Sequence, residues 1–451
     1  MLQNSAVLTI AAVDAGRMGL NYIKRASVAP GVSDPDLSAI VARMLADLQA
    51  GGDAVARRMS RDLDRFAGEI EISEKAIAAA CDRVPQYLKD GIAYARQNIV
   101  RFAEAQRASV RETEVELRPG LVAGQKLIPV RSAGCYVPGG RYSHIASAMM
   151  TVMTAKVAGV GHVTAVSPPR AGAPGGIPDA ILYTLKVCGA DRVLALGGVQ
   201  GVAAMAFGMF GLPPADILVG PGNVYVAEAK RQLFGRVGID MVAGPTDSMV
   251  IADASADPLT VAWDLIAQAE HGATSPVWLV TDDARLARET ARLAPLCAAE
   301  LPPANRTAAE TAWANLGEII LCDGREEMAV QADRIAPEHL HVQAADLDWW
   351  KTRLAAYGSL FLGAESTVAF GDKAAGTNHV LPTDGAARYT GGLSVHKFLR
   401  TVTWQRVSAE ALPDLASVTA SISRFEGMEG HARSAEIRLE RFGPAALAAG
   451  N

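Results

Sequence analysis

From residue 145 to residue 250 the sequence alternates two kinds of segment. IASAMMTVMTAKVAGV, IPDAILYTLKVCG, GVAAMAFGMFG and VYVAEAKRQLFG have the length and apolar spacing of helices. Between them lie short strand-like runs, HVTAVSPP, RVLALGG and ADILVGPGN, the last two ending in glycine-rich turns. Strands separated by helices at this spacing run parallel, because each helix carries the chain back across the sheet. Parallel sheets are covered on both faces, which accounts for the unbroken apolar character of the strands. A second alternation covers residues 255–393, through TVAWDLIAQAEHG, PVWLVTDD, ARLARETARLAPL, GEIILCD, REEMAVQADRIAPEHLHVQA and GSLFLGAES. The expected class is therefore α/β. Ligands of such folds bind where strands end in glycine-rich turns.

The flanking regions read differently. Residues 1–34 suggest a short arm, in which the apolar run Ala6 to Val13 is cut by Asp14 and lacks the basic start of a signal peptide. Residues 35–108 are helical in pattern, with a break at Gly51-Gly52 and a second run from Glu74 to Ala108. VELRPGLVAGQKLIPVRSAGCYVPGG is extended, and 394–451 reads as mostly helical and charged. No run of about 18 or more apolar residues, the length that spans a bilayer, occurs. With 43 basic against 48 acidic residues, the net charge of −5 disfavours nucleic acid or an anionic membrane as a partner. The five cysteines are scattered and form no CxxC, so no disulfide framework or cysteine zinc site is expected, and a reducing cytoplasm is the expected compartment.

Five segments can carry chemistry. In Gln268-Ala-Glu-His271 the amide and imidazole are three apart on one helix face and can ligate a metal; a histidine at a helix end is the plain alternative. Glu338-His339 places two potential bases side by side, or a solvated Glu and a capping His. The polar loop from Gly371 to Pro382 offers Asp372 as a ligand and His379 as a substrate contact, or ordinary turn chemistry. Glu426 to His431 brings a further carboxylate and imidazole, in a stretch where a lone His is most often superficial. Gly220-Pro-Gly-Asn223 and Gly197-Gly-Val-Gln200 can present backbone N–H groups to a dinucleotide, but no GxGxxG fingerprint accompanies them, so structural turns remain the alternative.

Taken in order, GCYVPGG, AKVAGV, GGVQGVAAMAFG, VGPGNVYVAEAKRQLFG, IDMVAGPTD, QAEHG, APEHL, GTNHVLPT and EGMEGHARSAEIR resemble the histidinol dehydrogenase family, from about Ser38 to Arg438. The resemblance implies two incomplete Rossmann-like parallel-sheet domains with small helical N- and C-terminal domains. Its boundaries would be an arm at 1–34; 35–131 with 246–393, carrying zinc and the catalytic residues; 132–245, binding NAD; and a tail at 394–451 reaching the partner of a homodimer. It implies zinc on Gln268, His271, Asp372 and His431, and Glu338 and His339 as catalytic bases. NAD contacts fall on Tyr136, Gln200 and Asn223, and substrate contacts on Thr246, Gln268, His271, His339, His379, Asp372, Glu426 and His431, the last two acting in trans. The implied reaction is the four-electron oxidation of a primary alcohol to a carboxylate through a bound aldehyde, with NAD as acceptor.

Some positions depart from the family pattern. Gly244-Pro-Thr-Asp247 stands where Gly-Pro-Ser-Glu is usual, Arg141-Tyr-Ser-His144 follows Pro-Gly-Gly, and His341 replaces an acidic or apolar residue. Cationic Arg141 and the added histidines suit an anionic substrate better than cationic histidinol. They can equally be surface changes or contacts to NAD phosphates. The pattern is similar to the sulfopropanediol dehydrogenase branch, which implies (R)-2,3-dihydroxypropane-1-sulfonate as substrate; L-histidinol, an inactive NAD- and zinc-binding paralogue, and a zinc hydrolase are the alternatives.

Overall fold

A computed structural model describes residues 21–28, 35–139, 144–242 and 244–449. Among these residues the strands form three sheets. β1 (Asn21–Lys24) lies antiparallel at the edge of one; the rest of that sheet is parallel and consists of β9 (Ser248–Ala252), β10 (Val277–Thr281), β11 (Glu318–Leu321), β12 (His339–Gln343) and β13 (Ser359–Leu362). Their order is β1-β11-β10-β9-β12-β13. β4 (Ser132–Tyr136), β5 (His162–Ser167), β6 (Arg192–Ala195), β7 (Ile217–Val219) and β8 (Gly238–Ile239) form a wholly parallel sheet ordered β6-β5-β4-β7-β8. Both alternations in the sequence thus become parallel sheets with helical flanks, and the α/β class holds.

Local chemistry fixes the helices between the strands. Asp257 caps the helix Pro258–Ala269, accepting from the Thr260 N–H at 2.9 Å, with proline at the first helical position. Asp283 caps Ala284–Glu300 in the same way. The break at Gly51-Gly52 is real: Gly52 sits at φ 52° inside Pro35–Leu63. The run from Glu74 is two helices, Glu74–Arg83 and Gln86–Ala108, because Pro85 forces extended backbone on Val84.

Two expectations are corrected. Residues 394–451 are not helical throughout: β14 (Leu399–Val407) pairs antiparallel along the whole of β3 (Leu121–Pro129), which also pairs with β2 (Thr113–Arg118). Its Thr, Val and Trp residues favour strand, but both of its faces are largely wet and carry no clean apolar alternation. Residues 35–108, expected within 35–131 to join 246–393, pack chiefly on the five-stranded sheet, and the same core takes in Val380 and Leu393. Ile72, Ile92 and Ile99 share a core with Ala133, Cys135 and Val163 of the five-stranded sheet, and Val41 and Leu48 share one with Leu194 and Val226. The chain at Ile70–Ile72 runs alongside β6, exchanging backbone hydrogen bonds with Val193 and Ala195.

Two sheet edges position the candidate residues. β4, β6 and β7 end at Tyr136, Gly197-Gly198 and Gly220, so these turns gather at the carboxyl edge of the five-stranded sheet. In the six-stranded sheet His339, Ser248 and Ser359 are in register at the amino ends of β12, β9 and β13. The helix Pro258–Ala269 returns antiparallel to the strands and therefore also ends at that amino edge.

Candidate active site

Glu338 and His339 do not sit at a helix end. The helix Arg325–Ile335 stops at Ala336, which adopts a left-handed conformation, and Pro337 starts the chain into β12. Because β12 pairs with β9, Glu338 lies opposite Asp247 just outside the sheet, and the two residues clasp each other. The Glu338 N–H donates to Asp247 Oδ1 at 2.7 Å, and the Asp247 N–H donates to Glu338 Oε2 at 3.1 Å. Thr246 Oγ1 donates to the same Oε2 at 2.6 Å. Among the described residues Glu338 Oε1 makes no hydrogen bond.

His339 Nδ1 is 3.0 Å from the Asp247 carbonyl oxygen, which can only accept, so Nδ1 carries a proton. Nε2 therefore holds the reactive lone pair of the neutral ring. It is buried, 3.4 Å from Asp372 Oδ1, without a well-aligned hydrogen-bond partner. Burial pushes Glu338 up to about 8, helped by Asp247 and opposed by His339. Burial alone would depress His339, but Glu338 and Asp372 outweigh it and raise the ring to about 9. Burial opposes ionisation of Asp372 as well, yet His339, His379 and Lys373 hold its carboxyl below the usual range. These titrations belong to the group as a whole. The result is a buried acid–base cluster that can take a proton at His339 Nε2 and at Glu338 Oε1.

Around it, Gln268 is 3% exposed and its Oε1 has no hydrogen-bond partner. His271 follows one turn later, its N–H bonded to the Gln268 carbonyl at 3.2 Å, and burial lowers its ring while Asp372 acts to raise it. Asp372 is buried at the end of the helix Val368–Lys373. His379 uses both ring nitrogens within the chain: Nδ1 donates to the Asp372 carbonyl at 2.9 Å, and Nε2 accepts from Ser147 Oγ at 2.9 Å. It thereby pins the 372–379 loop to the helix Ile145–Ala158. Glu426 and His431 are exposed on the C-terminal helices, and His431 lines a groove with Leu412, Leu415, Ser434 and Phe442. A single chain does not bring them to the cluster, and no group of three or more His, Cys, Asp or Glu is assembled for a metal among the described residues. Arg141 lies outside the described residues.

His341 is corrected. It does not face a ligand: it is fully buried, with Nε2 donating to the Gly363 carbonyl at 2.9 Å and Nδ1 3.3 Å from Asp264. Asp264 is a hub that motif reading missed. Its Oδ2 accepts from Gln343 at 2.6 Å and its Oδ1 from Thr367 at 2.9 Å. It thus ties together the helix that carries Gln268, the strand that carries His339 and the cap of the helix that carries Asp372.

At the carboxyl edge of the five-stranded sheet, the Gly198 N–H donates to Tyr136 Oη at 3.0 Å. Gln200 is buried; its Nε2 donates to Asp64 at 2.8 Å and its Oε1 has no partner. Gly220 sits at φ 112°, and a Cβ there would lie 2.1 Å from the Tyr136 carbonyl. Asn223 caps the helix Val224–Leu233, accepting from the Tyr225 and Val226 N–H groups at 3.1 Å. A buried Lys230–Asp240 ion pair fixes this turn, with Lys230 donating to the Gly220 carbonyl at 2.9 Å and Asp240 accepting from the Gly220 N–H at 2.7 Å.

Residues 29–439 match the family described as Histidinol dehydrogenase. The chain belongs to the histidinol dehydrogenase family. It is 65% identical to a histidinol dehydrogenase homolog of Ruegeria pomeroyi, over 95% of this chain and 98% of the relative. It is 58% identical to the sulfopropanediol 3-dehydrogenase of the same organism, over the same shares of each. The crystal structure of histidinol dehydrogenase from Elizabethkingia anophelis superposes with a TM-score of 0.86 at 32% identity, covering 93% of this chain and 95% of that one. This histidinol dehydrogenase relative is accordingly an oxidoreductase, a dehydrogenase of the NAD-dependent class. No helix among its described residues is long and apolar enough to cross a membrane.

The residues present fit the groups the family implies. Zinc takes nitrogen and oxygen donors, and donors of that kind are present: Gln268 Oε1 is orphaned, and the His271 ring, one turn on, lies within electrostatic reach of Asp372. The orphaned Gln200 Oε1, at the carboxyl edge of the five-stranded sheet, leaves a polar group for a dinucleotide.

Proposed function

We propose that this protein oxidises (R)-2,3-dihydroxypropane-1-sulfonate to sulfolactate, a four-electron conversion of a primary alcohol to a carboxylate through a retained aldehyde. The chemistry rests on one observation: the buried His339 keeps Nε2 without a hydrogen-bond partner, its tautomer fixed by the Asp247 carbonyl, beside a buried Glu338. The choice of substrate rests on the 58% identical sulfopropanediol 3-dehydrogenase.

His339 Nε2 takes the hydroxyl proton of the alcohol as its C–H bond breaks. The Asp247 carbonyl holds the tautomer that makes this possible. Glu338, its Oε2 anchored by Thr246 and Asp247, uses Oε1 to take a proton from the water that adds to the aldehyde. His339 then takes the hydroxyl proton of the hydrate. Gln268, His271, Asp372 and His431 of a second copy would hold zinc, which when bound polarises the substrate oxygen. Tyr136, Gln200 and Asn223 would hold NAD, which when bound supplies the hydride acceptor for each of the two oxidations.

His431 and Glu426 lie away from their own chain's cluster, so the working unit in this reading is a homodimer with shared sites. Coexpressing Glu338→Gln with His431→Ala would regenerate one intact site per mixed dimer; activity no higher than either variant alone would dismiss the shared site. The reaction is tested by giving zinc-loaded protein NAD with the sulfonate diol or L-histidinol and counting NADH. Two NADH per diol with histidinol inert supports the reading. Two per histidinol, with the diol inert, assigns the protein to the alternative substrate. Silence with every primary alcohol despite bound zinc and NAD would mark an inactive paralogue.

A further inference from the structure

The five-stranded sheet runs β6-β5-β4-β7-β8, a doubly wound order in which β4 is the first strand and β5 the second. In such sheets a carboxylate beyond the second strand receives a ribose hydroxyl of a bound dinucleotide. Here β5 runs out into Ser167-Pro168-Pro169 and supplies no carboxylate. Asp64 brings one from elsewhere. It directly follows the helix Pro35–Leu63, where its N–H and that of Phe66 both bond the Ser60 carbonyl at 3.1 Å and Arg65 turns the chain at φ 52°. Asp64 thereby meets Gly197, 133 residues away, whose N–H donates to its Oδ2 at 3.3 Å. A Cβ on Gly197 would lie 2.9 Å from Asp64 Oδ1 and 3.1 Å from Pro168 Cβ, so the bare glycine lets Asp64 stand beside the end of β5.

This turn offers acceptors and withholds donors. The Gly198 N–H is taken by Tyr136 Oη at 3.0 Å and the Gly197 N–H by Asp64, so the two glycine donors that could cradle a phosphate are occupied. Asp64 also places a carboxylate at the amino end of the helix Gly198–Phe207, where an anion would otherwise settle. Its Oδ2 accepts from Gln200 Nε2 at 2.8 Å as well. A carboxylate only accepts, so the Gln200 amide turns its nitrogen to Asp64 and leaves Oε1 without a partner, 3.3 Å from where a Cβ on Gly198 would stand. Gln200 is 1% exposed, and an acceptor buried that deeply is costly until a ligand satisfies it. Asp64 Oδ1 accepts no hydrogen bond among the described residues. We propose that Asp64 determines the cofactor class of this dehydrogenase: its Oδ1 accepts from the 2′-hydroxyl of the adenosine ribose of NAD, and a 2′-phosphate at the same place is rejected. This rests on reading the protein as NAD-dependent, and it assigns the discrimination to one residue.

The test reads binding apart from turnover. ADP-ribose and 2′-phospho-ADP-ribose, which lack nicotinamide and cannot be reduced, are titrated calorimetrically into full-length wild type, Asp64→Asn and Asp64→Ala. A hydrogen bond to a charged group is worth about ten- to a hundredfold in affinity, so wild type should prefer ADP-ribose by at least about that factor. Asp64→Asn keeps an acceptor for Gln200 and Gly197, so it should fold normally and lose most of the preference. Asp64→Ala should lose it too, and the ratio of kcat/KM for NAD and NADP should move the same way in both variants. If Asp64 only holds Gln200 in place, both ligands weaken alike and their ratio stays that of wild type, which overturns the proposal. Wild-type affinity for the phosphorylated ligand equal to or above that for ADP-ribose also overturns it; Arg65 or Arg170, the cations nearest in sequence to Asp64 and to the end of β5, would then be receiving the phosphate. Binding of neither ligand to wild type would remove the dinucleotide reading itself and the proposal with it. None of these outcomes depends on which alcohol is oxidised.

Discussion

Replacing Asp264 separates a geometric role from a chemical one. Asp264 touches neither the acid–base pair nor the ligand candidates, but its carboxylate accepts from Gln343 Nε2 at 2.6 Å and Thr367 Oγ1 at 2.9 Å. Asp264→Ala strands both donors, and Gln343 is 2% exposed, so water does not reach it freely. Two hydrogen bonds to a charged acceptor at about 1.5–3 kcal/mol each give a loss of about 3–6 kcal/mol, a large part of the stability of an ordinary domain. Asp264→Asn should cost far less. Its Oδ1 can keep Thr367, and Gln343 Oε1, buried without a partner in the wild type, can turn to accept from the new amide. The expected loss is then about 1 kcal/mol. Urea unfolding followed by tryptophan fluorescence reads the two values, and zinc affinity by chelator competition reads the geometry. Asp264→Ala should weaken zinc binding because Gln268 is one turn along the same helix and Asp372 follows the cap that Thr367 provides. Equal unfolding midpoints for alanine and asparagine, or unchanged zinc affinity in the alanine variant, would refute the reasoning.

Three further outcomes are expected from the same geometry. Glu338→Gln keeps an acceptor for Thr246 and Asp247, so it should fold normally, slow aldehyde oxidation about 10²–10⁴-fold and let one NADH form per alcohol; two NADH at the wild-type rate would exclude Glu338 as the base for water. Gln268→Leu removes a buried carbonyl that has no partner, so it should leave the metal-free protein as stable as wild type or up to about 2 kcal/mol more stable while abolishing zinc binding; a strongly destabilised variant would show that Oε1 is satisfied by the chain. In the metal-free protein Glu338 is raised from 4.5 to about 8 and His339 from 6.5 to about 9, so both bind protons more tightly folded than unfolded, and stability should fall as pH rises from about 6.5 to 9. His144, lowered to about 4, works in the opposite sense but below that window, and Glu338→Gln should flatten the slope; an unchanged slope in that variant would remove Glu338 as its source.

The sequence by itself determined the local layer of this protein. Helix and strand alternation, the capping aspartates at 257 and 283, and the breaks at Gly52 and Pro85 depend on neighbours a few residues away. So do Gln268 with His271, and Glu338 beside His339, which is why motif spacing found them. Tertiary structure decided everything that depends on strand pairing. Asp247 matters because β9 lies beside β12, which sets it against a carboxylate 91 residues away. Asp264 matters because a helix returns to the sheet beside Gln343 and Thr367, and His379 because its loop folds back onto Ser147. His341 shows the same limit in reverse. Its charge type suggested a ligand contact, but the period of a strand and the packing of a neighbouring helix put it in the core. Residue type is written in the chain, whereas the direction a side chain faces and the partner it meets are set by contacts between segments far apart in sequence.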